Sequence, residues 1–549
     1  MRSIFLAALL VPAPALGQEV LLRLGDSLPG GAALGPVTWL ESVRVAPSGA
    51  YAVSGRADGD DVSFFWGSFD GGPGTLLRSE ATIGALTQLS FDVRFGMNAA
   101  QLAYSARSMD GAGGPLRAGI WVDDAAVLQE DEPAPGTGKF VSSLVFASGI
   151  TTGGDWTGAV ALSDTPGGGS SDRALYRGND LLYATGDAVP GAPAPLGDGI
   201  GPGTFSPNGE HHIVSTDVES TPGQPRLILL RDGAALELGG ALVARDAPVP
   251  PSIGGRNGES WFRFFARDVN DRGSYALTGD TNAGAGEDGF LLRDGVMFAR
   301  EGDTLDGVTL SGRFTSVALN SSGEMAFVCG LLGSEVLFFE DRVVLRSGDA
   351  IDWDGDGVPE PTSLLFTAGG FDGSLQLTDD GILYFTAAVS VNGGSSEALF
   401  RLDTKRGSVG SPFCASAQPN STGVPGVLFA RGSTRAADDD LTLTAGQLPP
   451  GQFGIFVVGR QFGPGVGVPS GGVVCVTGPL GRFTRFDEIR RADANGVFSL
   501  EVGLAAIPIG GALESAIAGD TYCFQAWHRD GDSVSPTSNF SGGVSVVFD

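Results

Sequence analysis

An all-β chain of repeated four-stranded units is predicted by three observations. Turn formers are abundant without loss of apolar content, one four-strand pattern recurs along most of the chain, and an acidic residue closes each copy at near-regular intervals. The 87 glycines and 32 prolines among 549 residues approach the level of disordered chains, but 42% hydrophobic residues is too many for one. Turn-rich β structure accounts for both.

The chain begins MRSIFLAALLVPAPALGQEV, with Arg2 ahead of an apolar run and Ala15-Leu16-Gly17 before Gln18. This is the layout of a secretory signal, so residues 1–17 are expected to be removed and the remainder exported. No later apolar run reaches the roughly 20 residues needed to span a bilayer, so no membrane span is expected. With 34 basic against 63 acidic residues the net charge is −29, which disfavours nucleic acid and anionic lipid as partners.

Residues 313–349 show the repeat most clearly. Four short strands are expected at 314–319, 324–329, 335–339 and 343–346, with an Asn-Ser-Ser-Gly turn between the first two and a tight hairpin between the last two. The hairpin recurs as Arg231-Asp232-Gly233 and Arg293-Asp294-Gly295, Asp-Gly being a strong two-residue hairpin signal. The first turn recurs at Ser48-Gly49, Asn98, Asn208-Gly209, Asn270 to Gly273 and Asp379 to Gly381, with the third copy degenerate around Gly154. Each fourth strand ends in an acid: Asp26, Glu80, Asp131, Asp187, Asp246, Asp303 and Asp349, at intervals of 46 to 59 residues.

Four-stranded units repeated seven times describe a β-propeller. The seventh unit, ending in EALFRLD, stops after its third strand, and EVLLRLGD at residues 19–26 can supply the fourth. The expectation is therefore a seven-bladed β-propeller over residues 18–405, closed by the N-terminal strand. A linker at 406–412 and a C-terminal β-sandwich at 413–549 follow, the latter read from seven further short strands and a short helix near residues 486–492.

The pattern Asn320-Ser-Ser-Gly323-Glu-Met-Ala326-Phe327, and nearly so Asn270-Asp-Arg-Gly273-Ser-Tyr-Ala276-Leu277, resembles the secreted bacterial choice-of-anchor tandem NxxGxxAF repeat proteins. The resemblance covers residues 19–403, except that repeats two and three lack the turn glycine in register. It implies an exported, surface-associated repeat domain and brings no catalytic residues. Residues 410–549 are similar to a terminal domain appended to many large exported bacterial proteins, on Phe413-Cys414, Asn420-Ser-Thr-Gly423, Gln452-Phe453-Gly454 and Phe524-Gln525-Ala526-Trp527. Four cysteines in an exported chain permit several disulfide connectivities; this second resemblance implies the pair Cys414 and Cys475.

In this arrangement the Asn-x-x-Gly turns and tight hairpins share one face, and the second-to-third strand loops and the crossovers share the other. The loops carry most of the length variation, so a ligand is expected there. The terminal acids also fall on that face and are read as acceptors for backbone N–H groups of their own turns. The crossover SGDAIDWDGDGVPEP holds Asp352, Asp354 and Asp356 at alternate positions before Gly357, with the Val358 carbonyl and Glu360 following. That is the start of a calcium loop without its bidentate twelfth ligand, position twelve being Ser363. A structural Ca2+ is the expected cofactor.

Catalytic patterns are thin. His211 and His212 are adjacent and expected to point to opposite sides of a strand, and no nucleophile elbow occurs. The run from Gly284 to Gly289 matches a dinucleotide fingerprint but leads into a strand. The expected function is a secreted, monomeric, non-catalytic binding or surface-display protein whose partner is an extracellular polysaccharide or cell-surface protein. The alternative is a propeller hydrolase or lyase acting on extracellular polysaccharide.

Overall fold

The computed structural model describes residues 18–549 apart from 30–33, 58–61, 80–94, 110–115, 171, 219–226, 332–333, 348, 350, 352, 354–362, 367–374, 392–393, 405–408, 415–416, 424, 469–470, 494–495 and 532–536. Two compact units result. The larger holds Leu21–Asp349 and Ser363–Arg401, and the smaller is built mainly from Leu402–Asp549.

The larger unit consists of antiparallel sheets whose strands follow chain order. Sheet I runs Val37–Val45, Tyr51–Ala57, Val62–Ser68, Thr75–Ser79. Sheet II runs Phe95–Met97, Leu102–Met109, Leu116–Val122, Ala125–Gln129. Sheet III runs Phe140–Ile150, Trp156–Ser163, Asp172–Arg177, Asp180–Ala184, and sheet IV runs Thr204–Phe205, His212–Asp217, Leu227–Arg231, Ala234–Ala235. Sheet V runs Trp261–Val269, Tyr275–Thr281, Gly289–Arg293, Val296–Arg300, and sheet VI runs Phe314–Leu319, Met325–Leu331, Ser334–Phe339, Arg342–Arg346. In sheet VII, Ser363–Phe366 and Leu375–Leu377 both pair with Ile382–Val391, followed by Gly394–Asp403 and, beside it, the N-terminal strand Gln18–Arg23.

Burial explains the strand sequences. Second strands such as Trp156–Ser163 and Tyr275–Thr281 are buried along their whole length, because a neighbouring sheet covers each face. They therefore read as continuous runs of small and apolar residues rather than as alternating ones. The cores lie between consecutive sheets: Phe65, Phe95 and Tyr104 between I and II, Leu229, Trp261 and Phe290 between IV and V. Leu22, Val53, Tyr384 and Leu399 share a core between VII and I, where Tyr51 stacks on Tyr384 with centroids 5.1 Å apart.

The first-turn motif has a double use for asparagine. Asn270 Oδ1 accepts N–H bonds from Arg272 and Ser274 within its own turn, both 3.0 Å, while Nδ2 donates to the Asn320 carbonyl of the next turn at 2.8 Å. Asn98 does the same with Ala100, Gln101 and the Thr151 carbonyl. Only an amide offers both acceptor and donor at one atom pair. The fourth position is left-handed, with φ of 78° at Gly273 and 87° at Gly323, where glycine avoids the Cβ penalty. The third repeat keeps this glycine in register, against expectation: Gly154 has φ 92° and donates to the Thr151 carbonyl, so Thr151 replaces the asparagine instead.

The hairpins add a second tie. Their left-handed acid caps the start of the second strand, Asp294 Oδ1 accepting from Tyr275 N and Asp232 Oδ1 from His212 N. The arginine before it reaches across to the neighbouring turn, Arg231 to the Gly273 carbonyl at 2.6 Å and Arg293 to the Gly323 carbonyl.

On the crossover face the acids act locally. Asp26, Asp187, Asp303 and Asp349 each accept the N–H three residues earlier, at 2.6 to 2.9 Å. Asp131 and Asp246 do not occupy this position. They sit one residue earlier, at the left-handed place held elsewhere by Gly25, Gly186 and Gly302, and the capping position falls to Glu132 and to Ala247. Glu80 lies outside the described residues.

The smaller unit has two main sheets around one core that includes Leu443, Phe456, Ile507 and Tyr522. One sheet orders Ser411–Phe413, Thr537–Val547, Thr521–Asp530, Phe453–Gly459 and Gly481–Arg482; the other orders Val427–Gly432, Leu441–Gly446 and Phe498–Glu501. Gln525 is fully buried and satisfied: Oε1 accepts from Cys475 N, and Nε2 donates to the Val473 and Ser541 carbonyls. The helix expected near 486–492 is absent. A turn follows Arg485, with Glu488 accepting its N–H at 2.8 Å, and Arg490–Arg491 returns as a strand. Phe486 is exposed there, so no apolar stripe favours a helix.

Candidate functional site

The first strands of sheets I to VI, with Leu375–Leu377 of sheet VII, are the innermost. They lie against one another in the order I, II, III, IV, V, VI, VII, and Leu375–Leu377 also lies against Val37–Val45. They line a cavity of about 770 Å3. Its wall comes from these strands and from the turns after them, including Asn98, Thr151, Asn270, Asn320 and Asp379. Among the described residues no second-to-third strand loop lines it. Of those loops, where the ligand was expected, the one described throughout, residues 282–288 of sheet V, follows the second strand and so stands about one strand spacing, 4.8 Å, outside the innermost strand.

Irregular register brings polar groups to the wall. The inner strands are bulged between Leu40 and Val43 in sheet I and between Phe264 and Arg267 in sheet V, and bulges re-aim side chains. Glu41 lies within the first bulge and Arg267 at the end of the second, and both line the cavity with Trp39, Arg44, Phe146, Gln376 and Glu397. Trp39 is 53% exposed, an indole face open to solvent in a chain that buries most of its aromatic rings.

The acids on the wall fall into two groups. Asp268 and Asp379 brace turns, Asp268 accepting from Val269 N and Leu319 N and Asp379 from Ser321 N. Glu397 accepts a long 3.4 Å bond from Leu40 N. Burial pushes its carboxyl up, the Leu40 N–H works against that, and the nearby Glu41 adds to the rise. A glutamic acid held toward its neutral form beside a second carboxylate is able to donate a proton. Sequence reading missed Trp39, Glu41, Arg267 and Glu397; for the first three the one available signal was a large or charged residue inside a first strand, and Glu397, on Gly394–Asp403, had none.

Asp352, Asp354, Asp356, Val358 and Glu360 lie outside the described residues. Cys414 and Cys475 are joined by a disulfide with Cα atoms 5.8 Å apart, and Cys329 and Cys523 are buried free thiols. His211 and His212 do not diverge as a strand pair would. An extra residue in their turn, closed by Ser206 N to the His211 carbonyl, leaves His211 outside the strand, and both Nδ1 atoms approach Asp232, at 3.0 and 3.8 Å. His212 Nε2 also bonds the Tyr183 hydroxyl at 2.8 Å, and burial holds its pKa below the usual value. No group of metal-ligating side chains occurs among the described residues, nor does any helix there that is long and apolar enough to cross a membrane.

No protein-family profile matches the chain, and no curated protein does. Similar solved structures include a Trypanosoma rangeli sialidase in complex with 2,3-difluorosialic acid, at 11% identity and TM-score 0.31, covering 98% of this chain and 94% of that one. A virginiamycin B lyase from Staphylococcus aureus gives 8% identity and TM-score 0.26 over 70% and 98%. A subtype N11 neuraminidase-like protein of an influenza virus from a flat-faced bat gives 10% and 0.26 over 70% and 96%. These likenesses carry nothing about the chemistry of the site.

Proposed function

We propose that the sheets form a seven-bladed propeller closed by the N-terminal strand, and that its central cavity binds a saccharide without turning it over, as a secreted binding or display module. Closure is supported by Gln18–Arg23 lying beside Gly394–Asp403, by the 3.0 Å bond from Leu24 N to the Glu397 carbonyl, and by the core shared between sheets VII and I. The observation that carries the binding role is the cavity itself. Its volume lies within the usual range for ligand sites, and an exposed indole shares its wall with Gln376, Ser148 and Thr152. Sugars are held by this combination of an aromatic face and hydroxyl or amide partners.

A glycan array with the full chain and with Trp39→Ala tests the reading. Binding lost in the variant supports it; equal binding by both proteins, or none by either, rejects the cavity as the site. One observation favours a second reading, hydrolysis: Glu397, its carboxyl raised by burial, lines the same cavity as Glu41, and an acid catalyst works with a second carboxylate. Release of reducing ends by the wild type and its loss in Glu397→Gln would establish that reading in place of the first.

Residues 352–360 are proposed to hold a structural Ca2+, on the spacing of their acids. Chelator should then lower the melting temperature and added Ca2+ restore it; an unchanged melting curve rejects the ion.

A further inference from the structure

We infer that the cavity selects a glycan bearing an isolated anionic sugar, a hexuronate, through Arg267; this rests on the proposed saccharide site. The chain carries 63 acids and 34 bases, and Arg78, Arg256, Arg293, Arg300 and Arg460 are each paired with a carboxylate. Arg267 is not. It lines the cavity, its Nε is buried without a hydrogen-bond partner, and no described residue forms an ion pair with it.

The surroundings show that this is not for want of an acid. Asp268 is the next residue, yet its oxygens are engaged by Val269 N at 2.9 Å and Leu319 N at 2.7 Å. The backbone thus holds the adjacent carboxylate on turn duty, while the bulge before Arg267 directs the guanidinium to the cavity wall. A second guanidinium, Arg44, lines the same cavity and is anchored by Nε to the Phe95 carbonyl at 3.1 Å. Burying the Nε of a guanidinium without a partner is unfavourable for folding. A carboxylate is the group that matches its planar donor fork, and a ligand carboxylate would supply what the protein withholds.

The rest of the site narrows the ligand. Trp39 offers a stacking face, and Ser148 and Gln376 offer partners for hydroxyls, which fits a sugar ring beside the carboxylate. A net charge of −29 repels a polyanion beyond the immediate site, so the fit is to one acidic residue in an otherwise neutral glycan.

Calorimetry on the full chain decides it, with oligosaccharides carrying a single glucuronate as probes and the same oligosaccharides after carboxyl reduction as controls. Carboxyl reduction is expected to weaken binding about tenfold or more, the scale for losing a charge-assisted pair. Arg267→Gln should weaken the acidic probe to a similar degree and leave the reduced probe unchanged, with Arg267→Lys in between. Because the guanidinium has no partner among the described residues, Arg267→Gln should melt no lower than the wild type; a clear drop would make Arg267 structural and overturn the inference. Equal affinity for acidic and reduced probes, with binding still lost in Trp39→Ala, would overturn the anion selectivity while leaving the saccharide site standing. Failure of every probe to bind would remove both. Displacement of the probe by an acidic peptide would overturn the sugar assignment.

Discussion

The two faces of the repeat solve the same problem differently. On the turn face, Asn98, Asn270 and Asn320 each close their own turn and also donate to the carbonyl of the next turn, and Arg177, Arg231 and Arg293 reach the next turn's glycine carbonyl. On the crossover face, the side chains of Asp187, Asp303 and Asp349 accept from the backbone N–H three residues back. The first device couples neighbouring sheets; the second ends a strand. A motif can therefore recur in every repeat for two unlike reasons, and mutation separates them.

The largest effect is expected from Asn270, which is 2% exposed. Asn270→Ala removes three hydrogen bonds from buried groups and should cost about 3 kcal/mol by denaturant unfolding. Asn270→Asp keeps the two acceptors of its own turn but faces an oxygen toward the Asn320 carbonyl, so a loss of about 2 kcal/mol would assign that share to the coupling between sheets. If Asn270→Asp were neutral, the coupling would contribute nothing to stability.

The turn glycines come next. At Gly323 an added Cβ meets nothing closer than 3.9 Å, so Gly323→Ala tests backbone conformation alone and should cost about 1 kcal/mol. At Gly209 the same Cβ lies 2.6 Å from Thr151 of the neighbouring turn. Gly209→Ala should therefore unfold at lower denaturant than Gly323→Ala; equal midpoints would mean the turns are not packed on one another.

On the crossover face Asp303→Ala should cost less, about 0.5–1 kcal/mol, since one local acceptor is lost from a partly solvated turn. The smallest effect belongs to Glu301 on the same face. Burial raises its carboxyl, and a hydrogen bond with Asp288 raises it further, against the Gly289 N–H. A carboxyl whose folded pKa lies above its unfolded value stabilises the protein fully below the unfolded value, about 4. That contribution is lost as pH rises through the folded value. Glu301→Gln should thus be neutral or slightly stabilising at pH 7. It should also flatten the part of the melting-temperature profile that rises on acidification toward pH 4. A profile unchanged from the wild type would show that Glu301 is not the titrating group.

How much could be read in advance follows from the range of the forces. Asn270-x-x-Gly273 and Arg293-Asp294-Gly295 were legible because a turn is decided by the residues within it. The same locality limits the inference: Asn420-Ser-Thr-Gly423 makes the same turn in the smaller unit, Nδ2 donating to the Gln447 carbonyl, so one copy does not identify the repeat. Asp131 and Asp246 were placed one residue out because aspartate tolerates the left-handed conformation as well as serving as a cap. Only the backbone bonds to Val141 and Trp261 separate the two roles.

The sequence alone determined the strands, the turns and their period, since these rest on backbone preferences and on hydrophobic alternation a few residues long. Which charges ended up paired was decided by the tertiary structure. Asp268 and Arg267 are chain neighbours, yet one is committed to Leu319 of the next sheet and the other is left on a cavity wall. That outcome depends on a bulge and on strands some fifty residues apart, and no local pattern encodes it.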